Sequence, residues 1–312
     1  VIGLTERLGI FSPRGIATTT FSVEELNGVL NLISSQPRGG PVPKNTTAKR
    51  KLRSFAVPHF PIEDIIRPEE VQNVRAFGSE NMLENVASVM ARKLAEMRRK
   101  LELTREYLRL NAMKGIVLDA DESTIYNFFT EFGLSQVDQS FELDQSGTDV
   151  NERCREALRY MRTNLKGDTM TGAVALCSPE FYDALIIHSS VKDAFKYFQT
   201  QQNQTLSSDV SGAFVFAGIR FEPIESSTTD AAGTARKFIA ANDAMLVPLG
   251  TRETFQEVIA PADFMETVNT IGIPFYAKQS PGKFDRFTDV HAQMNVLPMC
   301  TRPEVLLRLT LT

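Results

Sequence analysis

Residues Ser79 to Leu110 read SENMLENVASVMARKLAEMRRKLELTREYLRL. Met82, Leu83, Val86, Val89, Met90, Leu94, Met97, Leu101 and Leu108 recur at steps of three and four, which places them on one face of an α-helix. Glu84, Arg92, Lys93, Glu96, Arg99, Glu102 and Arg105 take the other faces. Ser79 is a suitable N-cap, Glu80 sits where the helix dipole favours an anion, and Lys114-Gly115 reads as the end. Such a helix spans roughly 45 Å at 1.5 Å per residue, well beyond the ordinary length. Its narrow apolar stripe and charged ends predict a helix laid across a surface with one face down.

What flanks the helix is equally informative. Before it, Gln36-Pro37-Arg38-Gly39-Gly40-Pro41-Val42-Pro43 can form neither helix nor central strand. Residues 44–77 mix basic and apolar character, with Lys44, Lys49, Arg50, Lys51 and Arg53 ahead of Phe55-Ala56-Val57-Pro58-His59-Phe60-Pro61. The prolines remove ladder donors, so any strand here lies at a sheet edge. Phe55, Val57, Phe60, Ile62, Ile65 and Ile66 have no evident local partner. A structureless loop of some 35 residues is improbable inside a compact domain, so the arm is expected to bury its apolar residues on a neighbouring subunit. Arg50, Arg53, Arg67 and Arg75, set against Glu63, Asp64, Glu69 and Glu70, would pair across that contact and fix its register.

Elsewhere the chain alternates short elements. Ser22 and Glu25, followed by Leu26, Val29, Leu30 and Ile33, predict a short capped helix, preceded by a break at Ser12-Pro13-Arg14-Gly15. Ile116–Leu118 and Ile125–Phe129, around the acidic Asp119–Glu122, predict a β-hairpin. A helix capped by Asp149 is expected over 148–165, a buried strand at Ala173–Cys177, and a helix from Ser178-Pro179. Gln199–Gly212 reads as a polar loop, Phe214–Phe221 as a tight hairpin, and Met245–Gly250 as a strand marked as an edge by Pro248. Phe275–Asp285 reads as a loop, and 288–297 and 304–311 as closing strands. The fold class is α+β.

With 312 residues and 42% hydrophobic content, the chain is a folded one, and no apolar run is long enough to span a membrane. The net charge is −4, so nucleic acid nearby is expected to be contained and not gripped. Cys154, Cys177 and Cys300 are too few and too scattered for a disulfide framework or a zinc site, and no signal-peptide pattern is present. His59, His188 and His291 have no ligand spacing, and neither a phosphate-binding loop nor a nucleophile elbow occurs. No catalytic residue, cofactor or metal is therefore expected. The one enzyme-like stretch, Val117-Leu118-Asp119-Ala120-Asp121-Glu122-Ser123, resembles the haloacid-dehalogenase phosphohydrolase motif. There Asp119 would attack phosphorus and Asp121 would protonate the leaving oxygen, with Mg²⁺ neutralising charge. Against this, a strand follows the motif where that fold needs a helix, and the motif comes after the long helix instead of opening a domain.

An ordered series of segments carries a second resemblance. Ser12-Pro13-Arg14-Gly15-Ile16-Ala17-Thr18-Thr19 is followed by Pro37-Arg38-Gly39-Gly40-Pro41, then by Val74-Arg75-Ala76-Phe77-Gly78 ahead of the long helix and Lys114-Gly115 after it. Asn242–Gly250 and Leu297–Pro303 complete it. In this order the chain resembles the lambda-type major capsid proteins of phages, the capsid protein E family. The resemblance implies a Hong Kong 97-type capsid fold: an N-terminal arm at 1–37, an extended loop at 38–77, a peripheral domain with a spine helix at 78–170, an axial domain at 171–286 and closing strands of the peripheral domain at 287–312. It implies a non-enzymatic protein, made in the host cytoplasm, that assembles as pentamers and hexamers into the icosahedral virion head of a tailed phage. Such a head encloses double-stranded DNA without sequence-specific binding, with scaffold, portal and a cementing or decoration protein as partners and no membrane. A cellular nanocompartment shell of the same fold is the neighbouring alternative. Crosslinking through Lys44, Lys49 or Lys51 is not expected.

Overall fold

A computed structural model describes residues 3–26, 50–72, 85–166, 168–204, 212–225, 227–229 and 233–312. The long helix runs Val86–Met113, capped by Asn85, whose side-chain oxygen accepts from Ser88 N at 2.8 Å. Ser79, Glu80, Met82 and Leu83 lie outside the described residues. The helix ends at Lys114, and Gly115 follows with φ 81°. A Cβ on Gly115 would stand 2.5 Å from the Phe129 ring, so glycine is required there on both counts. The first turns bury one face through Val89, Met97 and Leu101, while Val86 is half exposed. The last two turns, Glu106–Met113, are buried all round. The expectation of a helix lying one face down thus holds for its first half; its end is inside the core.

Four sequence expectations are corrected by pairing. The short helix predicted from Ser22 is, over its described part, the strand Thr20–Leu26, antiparallel to Arg50–Ala56; its remainder, 27–36, lies outside the described residues. Phe21 opposite Phe55 outweighs a local capping pattern. Ser12–Gly15 is an edge strand parallel to Phe255–Ile259, which in turn pairs with Val296–Cys300. Tyr276–Pro281, expected in a loop, is a strand against Thr288–Met294, and the other side of Thr288–Met294 holds Phe60–Ile66. The hairpin after the long helix is shorter than predicted: Ile116–Leu118 pairs with Thr124–Asn127, and Phe128–Phe132 is a helical turn capped by Asn127.

The largest sheet has six strands in the order Val137–Ser140, Leu307–Thr310, Asp243–Leu249, Gly172–Cys177, Ile219–Pro223 and Phe214–Phe216. Asp243–Leu249 is central, contrary to the edge inferred from Pro248. Its neighbour Leu307–Thr310 stops opposite Leu246, so the proline stands where one side has no ladder left. Helices Val150–Asn164, Pro179–Ile187 and Ser189–Gln204 accompany this sheet, and the last extends through Gln199–Gln204, which was expected to be loop. The Asp149 and Ser178 caps are as predicted, accepting from Asn151 N at 3.0 Å and Phe181 N at 3.2 Å.

Two buried cores result, and the six-stranded sheet is a wall common to both. Val174, Leu176, Met245 and Val247 face the core that contains the long helix. Their immediate neighbours Ala173, Ala175, Cys177, Ala244 and Leu246 face the other, with Cys154, Met161, Phe181 and Leu307. Side chains alternate along a strand, so a strand buried on both faces is continuously apolar. A cut at 170/171 would therefore split the second core, since Phe141–Leu165 pack into it. Leu307–Thr310, expected to close the first region, pairs inside the six-stranded sheet.

Under the end of the long helix lies a buried ionic cluster. Glu257 is fully buried and accepts from Arg105 Nε at 2.8 Å and from Arg109 Nε at 2.9 Å. Burial alone would raise its carboxyl pKa; the two guanidiniums overcome that and hold it below the ordinary value.

Candidate functional site

The residues that suggested chemistry do not assemble into a centre. Asp119–Ser123 forms the tight turn of the hairpin: Asp119 N donates to Ser123 O at 2.9 Å, and the Asp121 carboxylate accepts from Ser123 N at 2.9 Å. The Ser123 hydroxyl first, and its backbone N–H second, hold the exposed Asp121 carboxyl below its usual range. Glu122, at φ 67°, pairs with Arg236 at 2.6 Å. Both aspartates are thus committed to turn geometry, with an antiparallel strand behind them where a phosphohydrolase would need a helix. Each histidine has a structural partner: His59 meets Asn295 Oδ1 at 2.7 Å, His188 meets Gln145 O at 2.9 Å, and His291 meets Glu63 Oε1 at 2.9 Å. Burial pushes the Cys154 and Cys300 thiols up to about 12 and raises Cys177 as well, so all three stay protonated. Among the described residues, no three His, Cys, Asp or Glu side chains come together as a metal site.

The arm residues expected at a subunit contact are dispersed, and the chief one is corrected. Phe55 is 1% exposed and packs within its own chain, with ring centroids 5.4 Å from Tyr126, 6.1 Å from Phe128 and 6.3 Å from Phe132. Aromatic partners more than 70 residues away supply the cover that local sequence does not show. Arg53 lies over the Phe132 ring at 5.2 Å and donates to Glu131 O. Val57 and Phe60 are partly buried against the same core, and Phe60 stands opposite Met294 in the strand ladder. Arg50 opens the strand that pairs with Thr20–Leu26. Arg67 is exposed; its guanidinium lies 3.6 Å from Glu69, and its backbone N–H donates to Glu70 Oε1 at 3.3 Å. Arg75 lies outside the described residues.

On the arm Leu52 is 67% and Ile65 39% exposed, and a denser apolar group lies elsewhere. Met265 is 92% exposed, Ile271 71%, Val268 59% and Ile273 51%, all within nine residues. This ridge is held rigidly from beneath. Gly272 N donates to Ile16 O at 2.9 Å, Ile273 N to Tyr276 Oη at 3.0 Å, and Thr267 Oγ1 to Ala262 O at 2.8 Å. A Cβ on Gly272 would stand 2.3 Å from Ile259 O, and one on Gly15 would stand 2.6 Å from Ile271. Two glycines thus let the ridge lie directly on the Ser12–Gly15 strand. Glu266 and Lys278, 3.0 Å apart, flank it with opposite charges. A preorganised apolar protrusion with a balanced polar rim can bind protein at low ordering cost. Sequence reasoning passed over it, although Met265, Val268 and Ile271 at steps of three, among Asn, Thr and Gly, have neither helix nor strand to cover them.

Comparison with known proteins follows this geometry. A family model described as phage major capsid protein E matches residues 1–311. The major capsid protein of Pseudomonas phage KPP10 is 28% identical, over 99% of this chain and 92% of that one. That of Salmonella phage Felix O1 is 26% identical, over 97% and 90%. Among solved structures, the capsid of Myoviridae phage XM1 superposes with a TM-score of 0.57 at 12% identity, covering 99% of this chain and 92% of its own. The cyanophage Pam1 capsid gives 0.53 at 11% identity, covering 96% and 88%. At such identities the structural likeness establishes a shared fold.

Proposed function

Because the chain belongs to the phage major capsid protein E family, we propose that its copies close a shell by burying the Met265–Ile273 ridge against one another. The fold is of the Hong Kong 97 type, α+β. The chain is a structural component of the virion shell and not an enzyme; neither the phosphohydrolase nor the nanocompartment reading is favoured. In our reading the shell is an icosahedral head of pentamers and hexamers around double-stranded DNA. Scaffold, portal and a decoration protein take part, and assembly follows synthesis in the host cytoplasm. Residues 1–37 then act as the N-terminal arm and 38–77 as the extended loop. The body divides into a peripheral part on the long helix and an axial part on the six-stranded sheet. The net charge of −4 supports DNA that packs inside without adhering.

The observation that carries the contact is the ridge itself: four large apolar side chains, rigidly presented, in a chain that self-assembles. Fully burying an exposed Val, Ile or Met side chain contributes about 1.5–3 kcal/mol, and these four are already partly covered, so one ridge supplies roughly 4–8 kcal/mol before association costs. That is enough for weak single contacts that become strong when repeated around a closed shell. The test is expression of the whole chain, with its scaffold where needed, followed by size-exclusion chromatography and negative-stain electron microscopy. Wild type should give shells, rings or curved sheets. The double substitution Val268→Asp and Ile271→Asp should give folded, unassembled protein. Normal shells from that variant would remove the ridge from the contact.

A further inference from the structure

We infer that the Met265 thioether is an oxidation site, and that peroxide acting there reversibly blocks assembly of the free subunit. The consequence for assembly rests on the ridge contact proposed above. Met265 opens the short helical turn Met265–Thr267, and that turn is pinned. Thr267 N donates to Phe264 O at 2.9 Å, and Thr267 Oγ1 donates to Ala262 O at 2.8 Å and to Phe264 O at 2.9 Å. The preceding residue takes the inner place: the Phe264 ring lies edge-on to His291 at 5.6 Å, with Lys278 Nζ over it at 4.9 Å. With Phe264 on the inner side, Met265 stands in water, the most exposed member of the ridge.

Among the described residues, no other thioether or thiol competes for the oxidant on equal terms. Met97, Met113, Met161, Met245, Met294 and Met299 are buried, and Met90 and Met170 pack against the two cores. Met82 lies outside the described residues. Cys154, Cys177 and Cys300 are buried and stay protonated, whereas a thiol reacts with peroxide as its thiolate. In the oxidation the sulfur lone pair attacks one peroxide oxygen, an S–O bond forms and the O–O bond breaks. The proton of the transferred oxygen passes to the departing hydroxide, which leaves as water; sulfur loses two electrons and the peroxide gains them. A sulfoxide reductase reverses the change, two thiols becoming a disulfide while the oxygen leaves as water. The sulfoxide is polar, and inside an apolar contact its oxygen loses the hydrogen bonds that water gives it. Oxidation therefore strikes the ridge and leaves both cores as they are. Once a shell has closed, the contact covers the sulfur, so the block acts before assembly and not after it.

The test treats the unassembled full chain with dilute hydrogen peroxide and reads each methionine by peptide mass spectrometry. The Met265 peptide should gain one oxygen at least roughly ten-fold faster than the peptides of Met113 and Met294. Equal rates overturn the site. The oxidised protein should keep its thermal midpoint yet need at least roughly ten-fold more protein to form shells, and a sulfoxide reductase with thiol should restore both mass and assembly. Unimpaired assembly of the oxidised protein overturns the block. Met265→Leu, similar in size, should form shells and go on forming them after the same peroxide dose. Loss of its shells on oxidation would assign the effect to another residue and overturn the role of Met265. The ridge contact has its own readout: in preformed wild-type shells Met265 should oxidise at least roughly ten-fold more slowly than in free subunits. Equal rates there would strike the ridge contact, and the block with it, and leave the selective oxidation standing.

Discussion

The strand Arg50–Ala56 and the ridge Met265–Ile273 exchange the roles that sequence suggests for them. The strand holds a phenylalanine without local partners and proves to be interior, since Phe55 is enclosed by Tyr126, Phe128 and Phe132. The ridge has no aromatic residue and no marked pattern, yet it leaves four apolar side chains in water. The difference lies in range. Phe55 is covered by residues that the hairpin after the long helix brings back to it, whereas the ridge is seated closely on the Ser12–Gly15 strand through glycines at 15 and 272, with its side chains turned outward. Whether an apolar residue serves its own fold or a partner's is decided by contacts far away in sequence.

The contrast can be broken at either end. Phe55→Ala should cost about 3–5 kcal/mol, the usual range for a phenylalanine removed from a core, read as a lower denaturant midpoint of the unassembled subunit. A surface-like loss below 1 kcal/mol would return Phe55 to the subunit contact. Gly272→Ala should cost about 1–3 kcal/mol and impair assembly as well, because its Cβ meets the Ile259 carbonyl and must lift the ridge. Assembly at the wild-type rate would show that the ridge's exact seating is immaterial. Arg53→Ala should cost about 1 kcal/mol through lost stacking on Phe132, with assembly intact. The smallest effect on stability, within about 0.5 kcal/mol, is expected for Val268→Asp with Ile271→Asp, the pair predicted to abolish shells. A large fall in its thermal midpoint would show the ridge to be part of the fold.

Acid should act on the ionic cluster before it acts on either region. Glu257 is held below its ordinary value of 4.5 in the folded chain, so its contribution is complete above that value. The contribution is lost as pH falls through the lowered folded value. Stability should therefore decline below about pH 4.5, and the decline should be shallower in Glu257→Gln, itself less stable at neutral pH. Parallel curves would place the acid sensitivity elsewhere.

What was legible in the sequence was local. The 3.6-residue period of the long helix, the Asp149 and Ser178 caps, Gly115 at the helix end, and Ala217-Gly218 as a hairpin turn at φ 49° and 85° all depend on neighbours within a few residues. What was not legible depends on pairing at a distance. Ser22 and Glu25 satisfy a helix start locally, but Phe21 meets Phe55 across a two-stranded ribbon. Tyr276–Pro281 has little strand character and is a strand because Thr288–Met294 offers it an edge. Of the candidate contact residues, Arg67 remains exposed, while Phe55, Val57 and Phe60 are drawn inward by elements that no window around them contains.

The sheet wall shared by the two cores also limits how the gene can change. In Asp243–Leu249, Met245 and Leu246 answer to different interiors. Inserting or deleting one codon there would turn each interior's side chains into the other, spoiling two cores with a single event. Point substitutions at alternate positions are, by contrast, judged by separate cores and can accumulate independently. Capsid lineages of this kind should therefore differ in length at their turns and keep the central strands constant in length, even where few of the original residues survive.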